Sequence, residues 1–241
     1  MAEPLTFSAQ QGWHYKITGA LYAPVQSRGT STINGTSADF ELNLRDALKV
    51  LDFTATGRFE AWNGRFGLIA EGHYLGISEN GETVAGGEVV VDVDQSWIGL
   101  LAAYRVSEGS LSNGQAFSFD VQGGARYNRI QQKINSTGPA ALDLGGTKTW
   151  WEPVVGARFS WGMSEKWSGS VLVDAGGFGV NGNDLQWSAT LGFEKKFNDQ
   201  TALVFGWRYY EIDYSTSTST GTFGYDVSQT GPFIGISHQF N

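Results

Sequence analysis

Polar and apolar residues alternate with a period of two along most of this chain, the pattern of β-strands with two unlike faces. From Gly12 to Ala23, Trp13, Tyr15, Ile17, Gly19 and Leu21 share one face; His14, Lys16, Thr18 and Ala20 share the other. The alternation returns at Asp52, where Phe53, Ala55, Gly57, Phe59 and Ala61 oppose Thr54, Thr56, Arg58 and Glu60. After a turn at Asn63-Gly64, Phe66, Leu68, Ala70, Gly72 and Tyr74 oppose Glu71 and His73. Gly87 to Arg105 predicts a long strand whose polar face opens with Glu88, Asp92 and Asp94. Its phase is lost beyond Gln95, which predicts a bulge there. Downstream, Val171, Val173 and Ala175 oppose Ser168, Ser170 and Asp174, and Trp187, Ala189, Leu191 and Phe193 oppose Gln186, Ser188, Thr190 and Glu194. Leu203, Phe205, Trp207 and Tyr209 face away from Arg208.

Punctuation separates these runs. Pro24 and Ser27-Arg-Gly29 break the first, and Asn34-Gly35 signals a tight hairpin within the β-branched stretch Thr30 to Asn43. Asn43 to Leu51 predicts one short helix, with Leu44, Leu48 and Leu51 at helical spacing and Asn43 as N-cap. It would serve as a lid over one mouth or as cover for a strand edge. Short turns at Met163–Lys166 and Asn198–Gln200 alternate with longer connections at Ser78–Gly86, Gln131–Gly146, Gly177–Asp184 and Ser215–Thr220. No linker divides the chain, so residues 1–241 read as one domain with residues 1–11 as a tail.

One motif is written twice: Asp120-Val-Gln-Gly-Gly-Ala-Arg126-Tyr127 and Glu152-Pro-Val-Val-Gly-Ala-Arg158-Phe159. In each, the acid precedes the arginine by six residues, an even spacing that puts both on one face of a strand. Gly124 and Gly156 share that face, and with Gly192 and Gly206 they make room either for large neighbours or for a lumen. Weaker echoes stand at Gly57-Arg58 and Gly206-Trp207-Arg208.

Nearly every polar face carries full charges: Arg58, Glu60, Glu71, Asp120, Arg126, Glu152, Arg158, Asp174, Glu194 and Arg208, with His73 among them. A soluble sandwich would turn these to water. Aromatics at strand ends point the other way: Trp13, Tyr74, Tyr104, Tyr127, Trp161, Trp167, Trp187 and Tyr209 stand where a membrane-interface girdle needs them. The expected fold is all-β, a closed antiparallel up-and-down transmembrane barrel with its charges inside. An even strand count is expected: twelve if Asn34-Gly35 splits its stretch in two, ten if that hairpin does not span.

Composition narrows the picture further. A net charge of −8 argues against nucleic acid, which needs clustered cations. The absence of cysteine excludes disulfide and thiolate chemistry. No apolar run reaches the roughly 20 residues of a spanning helix, and a mean hydropathy of −0.22 is what strands with alternating faces produce. Met1-Ala-Glu-Pro reads as a start placed on an already processed chain.

Ile234, Ile236 and Phe240 alternate up to a nearly terminal aromatic, which resembles the assembly signal of outer-membrane proteins, although Asn241 follows it. The chain from Trp151 onward resembles Gram-negative porin-like and OmpA-like membrane-domain barrels. The residues that carry the likeness are Glu152-Pro-Val-Val-Gly-Ala-Arg158, Asp174-Ala-Gly-Gly-Phe-Gly179, Gly206-Trp-Arg208-Tyr and Gly231-Pro-Phe-Ile-Gly235, and it extends loosely back to Trp13. The resemblance implies an outer-membrane location, with lipids, lipopolysaccharide and the outer-membrane assembly machinery as partners. A small porin-like channel for ions or polar solutes is the first expectation; a closed structural or interaction barrel with a salt-bridged interior is the alternative. A lipid hydrolase is a third reading and would need one of the histidines. His14 and His73 lie on polar faces and His238 near the last aromatic, yet no serine is tied to any of them by a motif. No cofactor or metal is expected: Asp92-Val-Asp94 and Asn181-Gly-Asn-Asp184 lack a ligand loop.

Overall fold

A computed structural model describes residues 12–42, 51–82, 88–137 and 143–240. Twelve strands form one antiparallel sheet: β1 (Trp13–Tyr22), β2 (Gln26–Ile33), β3 (Thr36–Leu42), β4 (Leu51–Asn63), β5 (Phe66–Glu82), β6 (Glu88–Ser110), β7 (Ala116–Ser136), β8 (Asp143–Gly162), β9 (Trp167–Val180), β10 (Asn183–Lys196), β11 (Thr201–Thr218) and β12 (Gly221–Phe240). β4 through β12 pair in sequence order, and β1 joins β4 to β12, so ten strands close a barrel. β2 and β3 lie outside that circuit.

Of the two expected counts, twelve is the number of strands in the sheet and ten the number in the closed circuit: the hairpin forms, but it does not add two staves. β1 and β2 lie in succession along one partner, Tyr22 opposite Phe233 and then Gln26 opposite Thr230. Pro24, which cannot donate a ladder bond, breaks the strand between them. Ala23 N still reaches Pro232 O at 3.0 Å, and Val25 N reaches Thr230 O at 2.9 Å. The approach is so close that a Cβ at Gly231 would stand 1.8 Å from Ala23 O. At its far end β2 turns through Asn34 and Gly35, both at positive φ (52° and 82°), into β3.

Two other expectations change, and a third falls almost wholly outside the described residues. The helix expected at Asn43–Leu51 falls on residues outside those described, except Leu51, which opens β4. The long connections at Gly177–Asp184 and Ser215–Thr220 are largely strand. Asn181 and Gly182 close β9 onto β10 as a second Asn-Gly turn, and β11 runs to Thr218 before a two-residue turn. Serine and threonine in that tract pair across the ladder, as their β-branched or small side chains permit. Similarly, β7 and β8 consume much of Gln131–Gly146, ending at Ser136 and starting at Asp143. The bulge expected beyond Gln95 lies instead between Arg105 and Ser107. Up to that bulge β6 keeps one phase, from Asp92 to Arg105; what reverses along it is the polarity of each face. Gln95, Trp97, Leu101 and Arg105 are buried, while Ile98, Leu100 and Tyr104 are exposed.

Candidate functional site

The outward faces carry an exposed apolar belt: Ile17, Leu21, Leu68, Ile98, Leu100, Val121, Val155, Val171, Val173, Leu191, Ile234 and Ile236. Aromatic pairs bound it on both sides. Near the chain termini stand Trp13, Phe66 against Tyr104 (5.1 Å between centroids), Phe159 against Trp161 (5.8 Å) and Trp167. At the other edge stand Phe53 against Tyr74 (6.1 Å), Tyr127 against Trp151 (5.2 Å) and Trp187 against Tyr209 (4.8 Å). The eight steps from Phe66 to Tyr74, at ~3.3 Å each and a tilt of ~40°, give a belt about 20 Å tall, close to the ~25 Å of membrane barrels. Meanwhile Arg105, Arg126, Glu152 and Asp120 are among the most deeply buried side chains. Burial is inverted. The chain is a transmembrane β-barrel of the bacterial outer-membrane type.

No protein-family model and no curated protein matches the chain. Among solved structures it is similar to the translocator domain of autotransporter NalP from Neisseria meningitidis (14% identity over 96% of this chain and 90% of that chain, TM-score 0.46). It is also similar to the outer membrane protein OprG from Pseudomonas aeruginosa (14% identity, 98% and 100% of the two chains, TM-score 0.42). A third similar structure is Ail, the attachment invasion locus protein of Yersinia pestis (11% identity, 96% and 100%, TM-score 0.37). At these identities the likeness is one of fold. Outer-membrane barrels join their strands by short periplasmic turns and longer external loops; by that rule the rim with the short turns at residues 64–65, 163–166 and 197–200 is the periplasmic one and the opposite rim the external one.

The interior of the barrel is built on the duplicated motif. β7 and β8 run antiparallel, so Asp120 faces Arg158 and Arg126 faces Glu152, with Gly123 opposite Val155 at the centre. Each acid thus meets the other copy's arginine. The contacts extend into one connected lattice. Asp120 bridges Arg105 (2.8 Å) and Arg158 (3.1 Å); Arg158 reaches Glu60 (2.7 Å); Glu60 reaches Arg58 (3.0 Å); Arg58 reaches Glu71. Glu71 leads to Arg126 (3.7 Å), which also holds Asp174 (2.6 Å) and Glu152 (3.6 Å). Lys16 pairs separately with Glu194. Among the described residues, six cations (Lys16, Arg58, Arg105, Arg126, Arg158, Arg208) stand with six anions (Glu60, Glu71, Asp120, Glu152, Asp174, Glu194) at this level, and Glu108 adds a further partner for Arg105 at 3.6 Å. In the dry interior such groups are costly unless each is paired, and here all but Arg208 are.

Several interior residues escaped the sequence reading. Arg105 shares the inward phase of Trp97, a phase hidden by the apparent break at Gln95. Trp62 and Trp97 are the indoles on which the arginines lie: Arg105 5.0 Å from the Trp62 ring, Arg126 4.5 Å from that of Trp97. Eight strands already make an interior that side chains can fill; ten need these large groups. Of the inward glycines, Gly192 and Gly206 leave room for Phe233, 3.5 and 2.9 Å from where their Cβ atoms would be. Gly124 serves a different end, the close approach of the neighbouring backbone: its Cβ would meet Leu100 O at 2.1 Å.

Of the histidines, His73 is buried between Tyr22 and Trp97 and bonded through Nδ1 to Thr56 Oγ1 at 2.9 Å. His238 meets Thr201 Oγ1 at 3.0 Å beside Phe240, while His14 is half-buried near the periplasmic edge. Ile234, Ile236 and Phe240 all face outward on β12. Among the described residues no group of acids and histidines is arranged to hold a metal.

Above the external girdle the faces exchange character. Ile130, Trp150, Tyr210, Ile212, Tyr214, Phe223, Tyr225 and Val227 form a buried apolar cluster inside, joined by Phe40 and Val93. Trp150 and Tyr214 stack at 3.9 Å. Here β6–β8 face β11, β12 and β2 across the core, with Ser31 Oγ donating to Gln132 Oε1 at 2.8 Å between them. Outside, the same strands show water Asp92, Asp94, Glu211, Asp213 and Asp226. Partial burial pushes the Asp213 carboxyl above its ordinary range, aided by the charges of Asp226, Asp184 and Glu211.

Proposed function

We propose that this outer-membrane barrel is closed, and that it works as a rigid stand presenting its external rim to partners. The observation that carries the reading is the stacking of two barriers inside one wall. The alternating-charge lattice fills the membrane level, and the Trp150–Tyr214 cluster fills the space above it. A lattice of paired charges favours occlusion because each group's partner is another side chain, not a passing ion. The rim carries the polar outward faces of β6, β11 and β12, and partners of the barrel would meet it there. Lipopolysaccharide and lipid would meet the belt and girdles, and the assembly machinery would meet the β12 end at Phe240. No catalytic step is assigned to the histidines in this reading.

Planar-bilayer recording on refolded protein tests it. The expected outcome is silence across voltages and salts. Discrete, reproducible conductance steps would overturn it in favour of the second reading, a small channel for polar solutes. That second reading has its own support: a cavity of about 190 Å³ inside the barrel, lined by Lys16, Thr18, Arg58, Ser188, Thr190 and Arg208. Absence of fatty acid release from lipid or lipopolysaccharide is the accompanying expectation.

A further inference from the structure

The same cavity contains polar groups that the salt-bridge lattice does not use. Arg208 stands on β11 at the inward phase and lines the cavity. Among the described residues it is the one membrane-level interior cation with no carboxylate within 4.0 Å; Lys16, Arg58, Arg105, Arg126 and Arg158 all have one. Its guanidinium is held in place by rings, 5.6 Å from the Trp97 ring and 5.5 Å from that of Tyr210, and its buried Nε has no hydrogen-bond acceptor.

Two further groups line the cavity beside it. Tyr22 is 2% exposed and Trp97 is 4% exposed, yet neither the Tyr22 hydroxyl nor Trp97 Nε1 has a hydrogen-bond partner. The indole can only donate and the guanidinium can only donate; the phenol can donate. Leaving such groups unmatched in a buried place costs about 1–3 kcal/mol each. A chain with no use for them could hold leucine or phenylalanine at these positions. The acids on the cavity wall, Glu60, Glu71, Asp174 and Glu194, are already engaged by Arg158, Arg58, Arg126 and Lys16. Glu194 Oε2 is also without a hydrogen-bond partner, but it lies with Lys16 at the other end of the cavity, opposite Val204 and four residues along β11 from Arg208. What is missing beside Arg208, Trp97 and Tyr22 is an acceptor.

We propose that this cavity is a binding site for a small oxyanion, a carboxylate or phosphate group whose paired oxygens sit on Arg208 and accept from Trp97 and Tyr22. The fork of a guanidinium matches two oxygens on one centre. The volume, about 190 Å³, is below the ~300–1,000 Å³ of pockets for drug-sized ligands, so the occupant is small. Entry is from the periplasmic side. The cavity reaches down to the Lys16–Glu194 pair, whose side chains keep 10% and 19% exposure, and Glu194 lies close to the periplasmic turn at residues 197–200. The opposite end is covered by the Tyr210 and Tyr214 cluster.

Calorimetric titration of the detergent-solubilised barrel with inorganic phosphate, and separately with acetate, tests the site, with sodium chloride at matched ionic strength as control. Saturable binding of at least one oxyanion is expected, weakened tenfold or more in Arg208→Gln, with quenching or enhancement of tryptophan emission that Trp97→Phe reduces. Arg208→Lys provides a second arm should the glutamine variant not refold; it keeps the charge but loses the fork and is expected to weaken binding as well. Heats no greater than those of chloride for both probes would overturn the proposal, as would undiminished binding by Arg208→Gln or, if that variant does not refold, by Arg208→Lys. Conductance recordings do not enter this test, so failure here and failure of the closed-barrel reading are separately visible.

Discussion

Asp120 and Arg158 stand directly opposite one another in the β7–β8 ladder, with Arg158 Nη2 3.1 Å from Asp120 Oδ2. Their reciprocal, Arg126 and Glu152, lies six residues further along β7, and the Gly123–Val155 pair marks the local two-fold between them. A motif of acid and arginine spaced by six, repeated on antiparallel neighbours, puts opposite charges face to face at both ends whichever copy is read first. The repetition is therefore a pairing device between staves.

Removing Arg158 would leave Glu60 and Asp120 buried with one fewer cation between them. Arg158→Ala should lower unfolding stability by about 3–5 kcal/mol, the range for breaking a buried pair. Urea titration in lipid vesicles, followed by tryptophan emission, measures it. In a double-mutant cycle with Asp120→Asn, a coupling of about 0.5–3 kcal/mol is expected for residues in one network. A coupling near zero, together with changed ion selectivity in bilayers, would mean that the arginine faces water instead.

Trp150 and Tyr214 belong to the other barrier. Tyr214→Ala should cost about 3 kcal/mol or more, as truncation of a buried aromatic does. It should still produce no conductance, because the lattice of Arg126, Glu152 and Asp174 lies beneath it. Bilayer recording of this variant is the check: steady open events from Tyr214→Ala alone would show that the aromatic cluster was the sole gate.

How much of this was legible beforehand depends on which face was read. The outward face of β1, β4, β7, β8 and β10 is apolar with full charges behind it, so period-two reading placed Arg58, Glu60, Arg126 and Arg158 together. It failed where the chain leaves the membrane. There the outward side becomes Asp92 and Asp94 and the inward side Val93 and Trp97, and one continuous strand looks like a loss of phase. The same exchange made the Ser215–Thr218 end of β11 look like loop. Turn chemistry was more reliable: Asn181-Gly182 carries the same signal as Asn34-Gly35, and both take positive φ. The closure to ten strands was not local information. It depends on β1 and β2 sharing β12, a pairing about 200 residues away in sequence.

The external acidic face gives a pH test. Asp213 sits among Asp184, Glu211 and Asp226, and its carboxyl is raised above the ordinary value. The folded state thus holds that proton more tightly than the unfolded state. Stability from this group is present at low pH and is lost as pH rises from the ordinary carboxyl range, ~3.9, through the raised folded value. Asp213→Asn should raise the melting temperature at pH 7 and flatten its pH dependence relative to the parent above pH 4. Identical melting profiles for the two proteins would rule out repulsion at this face. The group is exposed, so the shift should be small.

Gly206 and Gly57 offer the sharpest contrast, because one substitution at two glycines should behave oppositely. At Gly206 an added Cβ would stand 2.0 Å from Leu191 O and 2.9 Å from Phe233 Cε1, with backbone on one side and a ring on the other. The Leu191 carbonyl cannot retreat without opening the β10–β11 ladder, in which Gly206 pairs with Gly192. At Gly57, on the outward face of β4, nothing lies within 4 Å of the same atom. Gly206→Ala should therefore refold poorly, or lose about 1–3 kcal/mol as overpacked sites do. Gly57→Ala should be neutral or gain ~0.4–1 kcal/mol by restricting the unfolded chain. Heat-modifiable migration on gels separates folded from unfolded barrels and reads both variants side by side. Equal folding yields would mean that β10 and β11 are less tightly apposed than their register indicates.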